Sequence, residues 1–119
     1  MQYQTLGTMD IEKTKTQMRK GILEYCILCI IKKNGDAYAS DILEELKKSE
    51  MIVVEGTLYP LLTRLKNDEL LAYRWEESTS GPPRKYFALT EEGNSFIQEL
   101  SITWTQLQNA VNRITKETH

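Results

Sequence analysis

Apolar residues recurring every three to four positions in three successive segments predict three helices. A two-residue alternation that folds back on itself predicts a β-hairpin, and a closing seven-residue apolar repeat predicts one long helix. The order helix, helix, helix, hairpin, long helix is a mainly α fold with a β-hairpin. At 119 residues the chain is one domain by length. It divides into a polar, frayed N-terminus over residues 1–10, a body over 11–90, and a long helix with its tail over 91–119.

The first helix is expected over residues 11–33. Ile22, Cys26 and Ile30 recur at i+4, as do Leu23, Ile27 and Ile31, giving a wide apolar stripe. Asn34-Gly35-Asp36 is a turn signal, with Asn34 or Gly35 suited to a left-handed cap. Ser40 is the expected N-cap of the second helix, with Asp41 in its first turn and Ile42, Leu43 and Leu46 on its apolar face. Residues 49–54 form a short linker. A third helix starts between Glu55 and Thr57 and carries Leu58, Leu61, Leu62 and Leu65 as a one-sided stripe. Pro60 is tolerable if it lies in or near the first turn.

After Asn67-Asp68 the period drops to two. Leu71, Tyr73 and Trp75 alternate with Ala72, Arg74 and Glu76, and Arg84 to Leu89 reads as the returning strand. Ser78 to Pro83 is read as a long loop stiffened by its prolines. Thr90 is an N-cap with Glu91 and Glu92 behind it. Phe96, Leu100, Thr103, Leu107, Ala110 and Ile114 then form a heptad seam, widened by Ile97, Trp104 and Val111. A helix running to about residue 116 is too long and too apolar for the preceding body to cover. A second copy of the chain is the expected partner.

Lys+Arg is 15 and Asp+Glu is 17, so the net charge is −2, which excludes a strongly basic, histone-like binder. The charge is unevenly spread. Residues 91–119 hold Glu91, Glu92, Glu99 and Glu117 against Arg113 and Lys116. Residues 11–33 hold Lys13, Lys15, Arg19, Lys20, Lys32 and Lys33 against Glu12 and Glu24. The cations sit on elements able to face nucleic acid. The two cysteines exclude a disulfide-stapled scaffold, and the one histidine is terminal. Cys26-Ile27-Leu28-Cys29 lies mid-helix in an apolar run, not at a helix start where a redox thiolate is stabilised, and it reads as a pair of core thiols. A zinc site would need two more ligands. No cofactor, metal or catalytic residue is expected. No apolar run approaches the roughly 20 residues that span a bilayer, and the start lacks the pattern of an export signal. The expected location is the cytoplasm.

Two short helices followed by a hairpin form the layout of a winged helix-turn-helix. In such a unit the third helix enters the DNA major groove and the hairpin, or wing, lies along the backbone. The third helix offers Thr57, Tyr59, Thr63, Arg64 and Lys66; the hairpin offers Arg74, Arg84 and Lys85. Lys20 and its neighbours on the first helix are either DNA-proximal or simply a solvated face.

Glu55-Gly56-Thr57-Leu58-Tyr59-Pro60-Leu61-Leu62-Thr63-Arg64-Leu65 resembles the signature of the PadR family of bacterial transcriptional regulators. Gly81-Pro82-Pro83-Arg84-Lys85-Tyr86-Phe87-Ala88-Leu89-Thr90-Glu91-Glu92-Gly93 resembles its wing and the start of its dimerisation helix. Lys20-Gly21 with Leu23-Glu24 resembles its first helix. The match covers roughly residues 17–115 and resembles the short subgroup, with a single C-terminal helix. The resemblance implies a homodimeric repressor of a palindrome-like operator in double-stranded DNA, relieved by a small aromatic or drug-like effector. It places Thr57, Tyr59 and Arg64 on the recognition helix, Arg84 and Lys85 on the wing, and Tyr38 and Ser40 at the backbone-facing start of the second helix. Phe96, Leu100, Trp104, Leu107 and Val111 would form the dimer centre. Trp104 there has two readings, a packing residue or a platform for the effector. Glu69 stands where the family usually has Gly, so Asn67 or Asp68 is expected to take the left-handed position. A winged-helix module that binds protein and not DNA is the alternative; an enzyme is disfavoured by the thin catalytic inventory.

Overall fold

The computed structural model describes the backbone of residues 2–116 and the side chains of residues 11–116. The elements are α1 (Gln2–Asn34), β1 (Asp36–Ala37), α2 (Ala39–Lys48), α3 (Glu55–Asn67), β2 (Leu71–Ser78), β3 (Gly81–Leu89) and α4 (Glu91–Thr115). The helix–helix–helix–hairpin–long-helix order is therefore the one expected. The far end of the expected tail, residues 117–119, lies outside the described residues, as does Met1.

Several local expectations are corrected. Helix α1 begins at Gln2, not at residue 11. No proline interrupts residues 2–10, and an apolar stripe that becomes continuous only near Ile22 places the start too late. Gly35 takes the left-handed conformation after α1, with φ +87°. The sheet has three strands in the order β1-β3-β2, because Asp36 and Ala37 pair with Ala88 and Phe87. Two residues are too few for an alternation to show. Tyr38, not Ser40, caps α2; its amide donates to the Asp41 carboxylate at 3.0 Å. The wing has no long loop. Ser78 pairs with Gly81, so β3 already contains Pro82 and Pro83. At those prolines β1 has not begun to pair and the ladder to β2 is irregular between Glu76 and Ser78. A missing N–H costs least there. Pro60 sits in the second turn of α3, with exposed Gly56 at the i−4 position. The proline removes one i→i−4 bond, the one that would end on the Gly56 carbonyl.

Helices α2 and α3 end alike. Met51 N–H bonds back to the Leu46 carbonyl at 2.8 Å, and Leu70 N–H to the Leu65 carbonyl at 3.0 Å. The residue before each, Glu50 and Glu69, is left-handed at φ 63° and 64°. This is the Schellman ending usually given to glycine. The expectation that Asn67 or Asp68 would take this role is thus wrong. The hydrogen-bond register fixes the position at Glu69, whatever its side chain prefers.

The core gathers Leu23, Ile27, Leu28 and Ile31 of α1, Ile42 and Leu46 of α2, Leu58, Leu62 and Leu65 of α3, then Leu71, Phe87 and Ile97. Each fully buried leucine or isoleucine contributes about 1.5–3 kcal/mol. Helix α4 is fastened to this body by Ile97 in the core, by Lys32 Nζ of α1 donating to Asn94 Oδ1 at 3.0 Å, and by the junction at Thr90. The Thr90 hydroxyl donates to the Glu69 carbonyl at 2.6 Å and accepts the Gly93 amide at 2.9 Å; the Thr90 amide donates to the Leu70 carbonyl at 3.2 Å. A Cβ on Gly93 would stand inside contact distance of that Leu70 carbonyl oxygen. Beyond Ile97 the helix runs out of cover: Leu107 is 54% exposed, Val111 47% and Ile114 76%.

Cys26 and Cys29 are free and half-buried. The Cys26 thiol lies 3.9 Å from the Met51 sulfur. Burial, then neighbouring Cys29, pushes the Cys26 thiol up; burial also raises Cys29, against the lowering effects of a Tyr25 hydrogen bond and Lys32. Among the described residues no helix is long and apolar enough to cross a membrane.

Two outcomes are expected for stability and reactivity. In urea unfolding at fixed protein concentration, Gly93→Ala should cost about 2–3 kcal/mol, the range of an overpacked contact, while Glu69→Gly should gain about 1 kcal/mol by relieving the left-handed backbone. A neutral Gly93→Ala would show that the junction has slack. The native thiols should alkylate more slowly than those of the urea-unfolded chain, with pH profiles displaced upward. Their neutral forms favour the folded state. That contribution is whole below the unfolded thiol pKa and is lost as pH rises through the folded values.

Candidate nucleic-acid interface

Leu58, Leu62 and Leu65 turn one face of α3 into the core. At about 100° per residue, the opposite face is Gly56, Pro60, Thr63 and Asn67. Thr57 and Arg64 flank it on one side, Tyr59 and Lys66 on the other, and all are exposed. The Arg64 flank turns toward α1, where its guanidinium is ion-paired with Glu24. The Tyr59 flank turns toward the wing.

Residues directly opposite across β2 and β3 share a face. Tyr73↔Phe87 and Trp75↔Lys85 lie on one, Arg74↔Tyr86 and Glu76↔Arg84 on the other. On the first face only Leu71 and Phe87 are buried; Tyr73 is 39% and Trp75 60% exposed. Lys85 Nζ lies 4.5 Å from the Tyr73 ring centre and 5.3 Å from that of Trp75, and Lys66 Nζ approaches Tyr73 from α3 at 5.7 Å. Among the described residues no ion pair joins either lysine to a carboxylate; both rest on aromatic faces, a weak attraction at an exposed site.

The second face ties the wing to the start of α2. Tyr86 stacks on Tyr38 with ring centres 3.9 Å apart. Burial in that stack, followed by a hydrogen bond with Tyr38, raises the Tyr86 phenol pKa. Arg84 lies over the Tyr38 ring at 3.8 Å and donates from Nη2 to Ser40 Oγ at 2.7 Å. Arg74 is spent internally. It donates to Asp36 at 2.7 Å and to Glu76 at 3.2 Å, bonds that hold its guanidinium pKa above the ordinary value. The sequence offers Arg74 beside Arg84 and Lys85 as a hairpin cation; β1, the strand not foreseen, brings Asp36 beside it.

A crevice of about 310 Å³ opens between the start of α2, the start of α3 and the wing; Tyr38, Ser40, Tyr59, Trp75, Arg84 and Lys85 line it, with Glu55 as its one carboxylate. The structure thus brings together five of the expected residues, Tyr38, Ser40, Tyr59, Arg84 and Lys85. Thr57, Thr63 and Arg64 stand on α3 outside the crevice. Lys20 stands apart, exposed on α1 one turn before Glu24. Trp75, Tyr73 and Glu24 were not singled out from sequence. The period-two alternation that puts Tyr73 and Trp75 on one face opposite Lys85 was the available signal.

A second groove, of about 200 Å³, lies between α1 and α4. Phe96, Leu100, Trp104 and Leu107 line it with Tyr25 and Glu24. Val111 lies beyond it along α4. Among the described residues no cluster of three or more His, Cys, Asp or Glu side chains is placed to hold a metal ion.

Residues 27–99 match the family model described as the transcriptional regulator PadR-like family. Among solved structures, a PadR-like transcription factor from Bacteroides fragilis is 61% identical. The match covers 86% of this chain and 98% of that one, with a TM-score of 0.73. A PadR-like transcriptional regulator from Bacillus cereus is 35% identical over 82% of this chain and 95% of its own, also at 0.73. PadR of Bacillus subtilis, solved with operator DNA, shares the fold at a TM-score of 0.63 with 23% identity, over 68% of this chain and 47% of its own.

Proposed function

The chain belongs to the PadR-like family of transcriptional regulators, and from that membership we propose a dimeric, sequence-specific DNA-binding repressor that a small aromatic effector releases from its operator. It acts by equilibrium binding in the cytoplasm, not by catalysis. The observation that carries this reading is the crevice-side cluster. Arg84 and Lys85 of the wing, Ser40 and Tyr38 at the start of α2, and Tyr59 of α3 converge beside the outward face of α3. Cations, hydroxyls and a helix start in one place are the groups that hold phosphates. The adjoining Thr57, Thr63 and Arg64 are of the type that reads base edges. Lys20 adds a further phosphate contact from α1.

The dimer supplies the second half-site. Leu107, Val111 and Ile114 leave an apolar row in water along α4, and burying such a row against its copy is the usual solution. Two α3 helices spaced about one helical turn apart (~34 Å) then face successive major grooves. Phe96, Leu100 and Trp104 border the groove where an effector would sit, between α1 and α4. Occupancy there favours whichever spacing of the reading helices it fits best.

Electrophoretic shift or anisotropy titrations of the chain's own upstream DNA over a range of salt test this. Replacing Arg84 and Lys85 with Ala should weaken binding to all sequences alike. The log–log salt slope should flatten by up to ~2, about 0.9 for each phosphate no longer neutralised. Tyr59→Ala or Thr63→Val should alter sequence preference more than slope. No binding at low salt, or a slope untouched by the double replacement, contradicts the proposal.

A further inference from the structure

Three sulfur-bearing side chains gather where α1 passes the linker between α2 and α3. Cys26 and Cys29 are three residues apart on α1, and such positions are neighbours on a helix surface, about 5–6 Å between Cβ atoms. Both thiols are free, and they are close enough to act on each other electrostatically. Cys26 Sγ stands 3.9 Å from Met51 Sδ. Met51 is held in place by the end of α2, where its amide bonds to the Leu46 carbonyl at 2.8 Å after left-handed Glu50. All three residues pack on the core yet stay partly open to solvent, so an ion can reach the sulfurs. Metal–sulfur bonds are about 2.3 Å, and two that meet at a trigonal angle of about 120° put their sulfurs roughly 4 Å apart. Cys26 and Met51 already have that spacing. Cys29, with its short side chain on the adjoining position, supplies a third sulfur by choice of χ1 rotamer.

We propose that Cys26, Cys29 and Met51 form a binding site for a monovalent thiophilic cation, copper(I) or silver(I), which ties the linker between α2 and α3 to α1. The class of ion follows from the donors. Two thiolates and a thioether are the soft set that selects copper(I). Zinc would need a fourth ligand to close a structural site, and among the described residues no His, Cys, Asp or Glu side chain joins the two thiols in a metal-binding group. Coordination exchanges each S–H bond for a sulfur–metal bond, and both protons leave to solvent. No atom changes oxidation state. One positive charge against two thiolates leaves the bound site negative, and Lys32, whose charge acts on the Cys29 thiol, offsets it. Ion uptake here is independent of whether α3 reads DNA.

The test uses the full, reduced chain without oxygen, and copper(I) held by bicinchoninate as competitor. One ion should bind per chain, with sulfur as its only ligand type and three sulfurs at about 2.3 Å in the X-ray absorption spectrum. Cys26→Ser and Cys29→Ser should each lose the ion to bicinchoninate. Met51→Leu, a volume-conserving swap that keeps the fold, should bind more weakly and drop the count from three sulfurs to two; it decides the matter even where a serine variant does not fold. The native chain should take the ion in preference to the urea-unfolded chain. Silver(I) should raise the melting temperature of the unsubstituted chain and not that of the serine variants, while zinc(II) at the same concentration leaves it unmoved. Binding unchanged in Met51→Leu, equal affinity of the native and unfolded chains, nitrogen or oxygen ligands in the spectrum, a matching response to zinc(II), or an affinity too low to compete with bicinchoninate would each overturn the proposal.

Discussion

Thr90 makes its hydroxyl serve two helices. It donates to the carbonyl of Glu69, just past the end of α3, and accepts from the amide of Gly93, in the first turn of α4. Neither bond exceeds the ordinary worth of a cap or a hydrogen bond, each about 1 kcal/mol. Their effect is positional. The end of α3 and the start of α4 are fastened directly to each other here. Gly93 lets α4 come close enough for this, because a side chain there would strike the Leu70 carbonyl. The left-handed turn at Glu69 aims the chain into that contact. The contact is a short direct path between the two helices.

The charges are sorted by the same architecture. Arg74 is held by Asp36 and Glu76, on the same face of the wing as Arg84. Arg84 and Lys85 are left with aromatic rings and a hydroxyl for company. A cation on a tyrosine or tryptophan face can be drawn away by a phosphate; a cation locked between two carboxylates is far less available. A chain of net charge −2 thereby presents a locally positive edge, and the acidic excess stays on α4.

Much of this was legible in the chain itself. Strong periodicities mark the helices and the hairpin, because Leu58, Leu62 and Leu65 or Ile27, Leu28 and Ile31 leave little choice about which face is buried. The crevice residues Tyr38, Ser40, Tyr59, Arg84 and Lys85 stand out by motif and position, and the fold brings them together. The features that escaped share a cause. The β1 strand, the Asp36–Arg74 pair, the tight wing turn and the Glu24–Arg64 pair all depend on contacts between residues distant in sequence or on pairing across strands. Local pattern carries no record of those contacts. Glu69 is a related case: residue preference argues against a left-handed glutamate, but the hydrogen bonds closing α3 and the Thr90 contact outweigh it.

If, as proposed, two chains pair through α4, the junction at Thr90 sets their two α3 helices one DNA turn apart. A spin label at Asn67→Cys, on the outward face of α3, measures this directly by pulsed dipolar spectroscopy, with Cys26 and Cys29 replaced by Ser. On operator DNA a single narrow distance near one helical turn (~34 Å) is predicted. No resolved distance, or a broad distribution that operator DNA does not narrow, would contradict it.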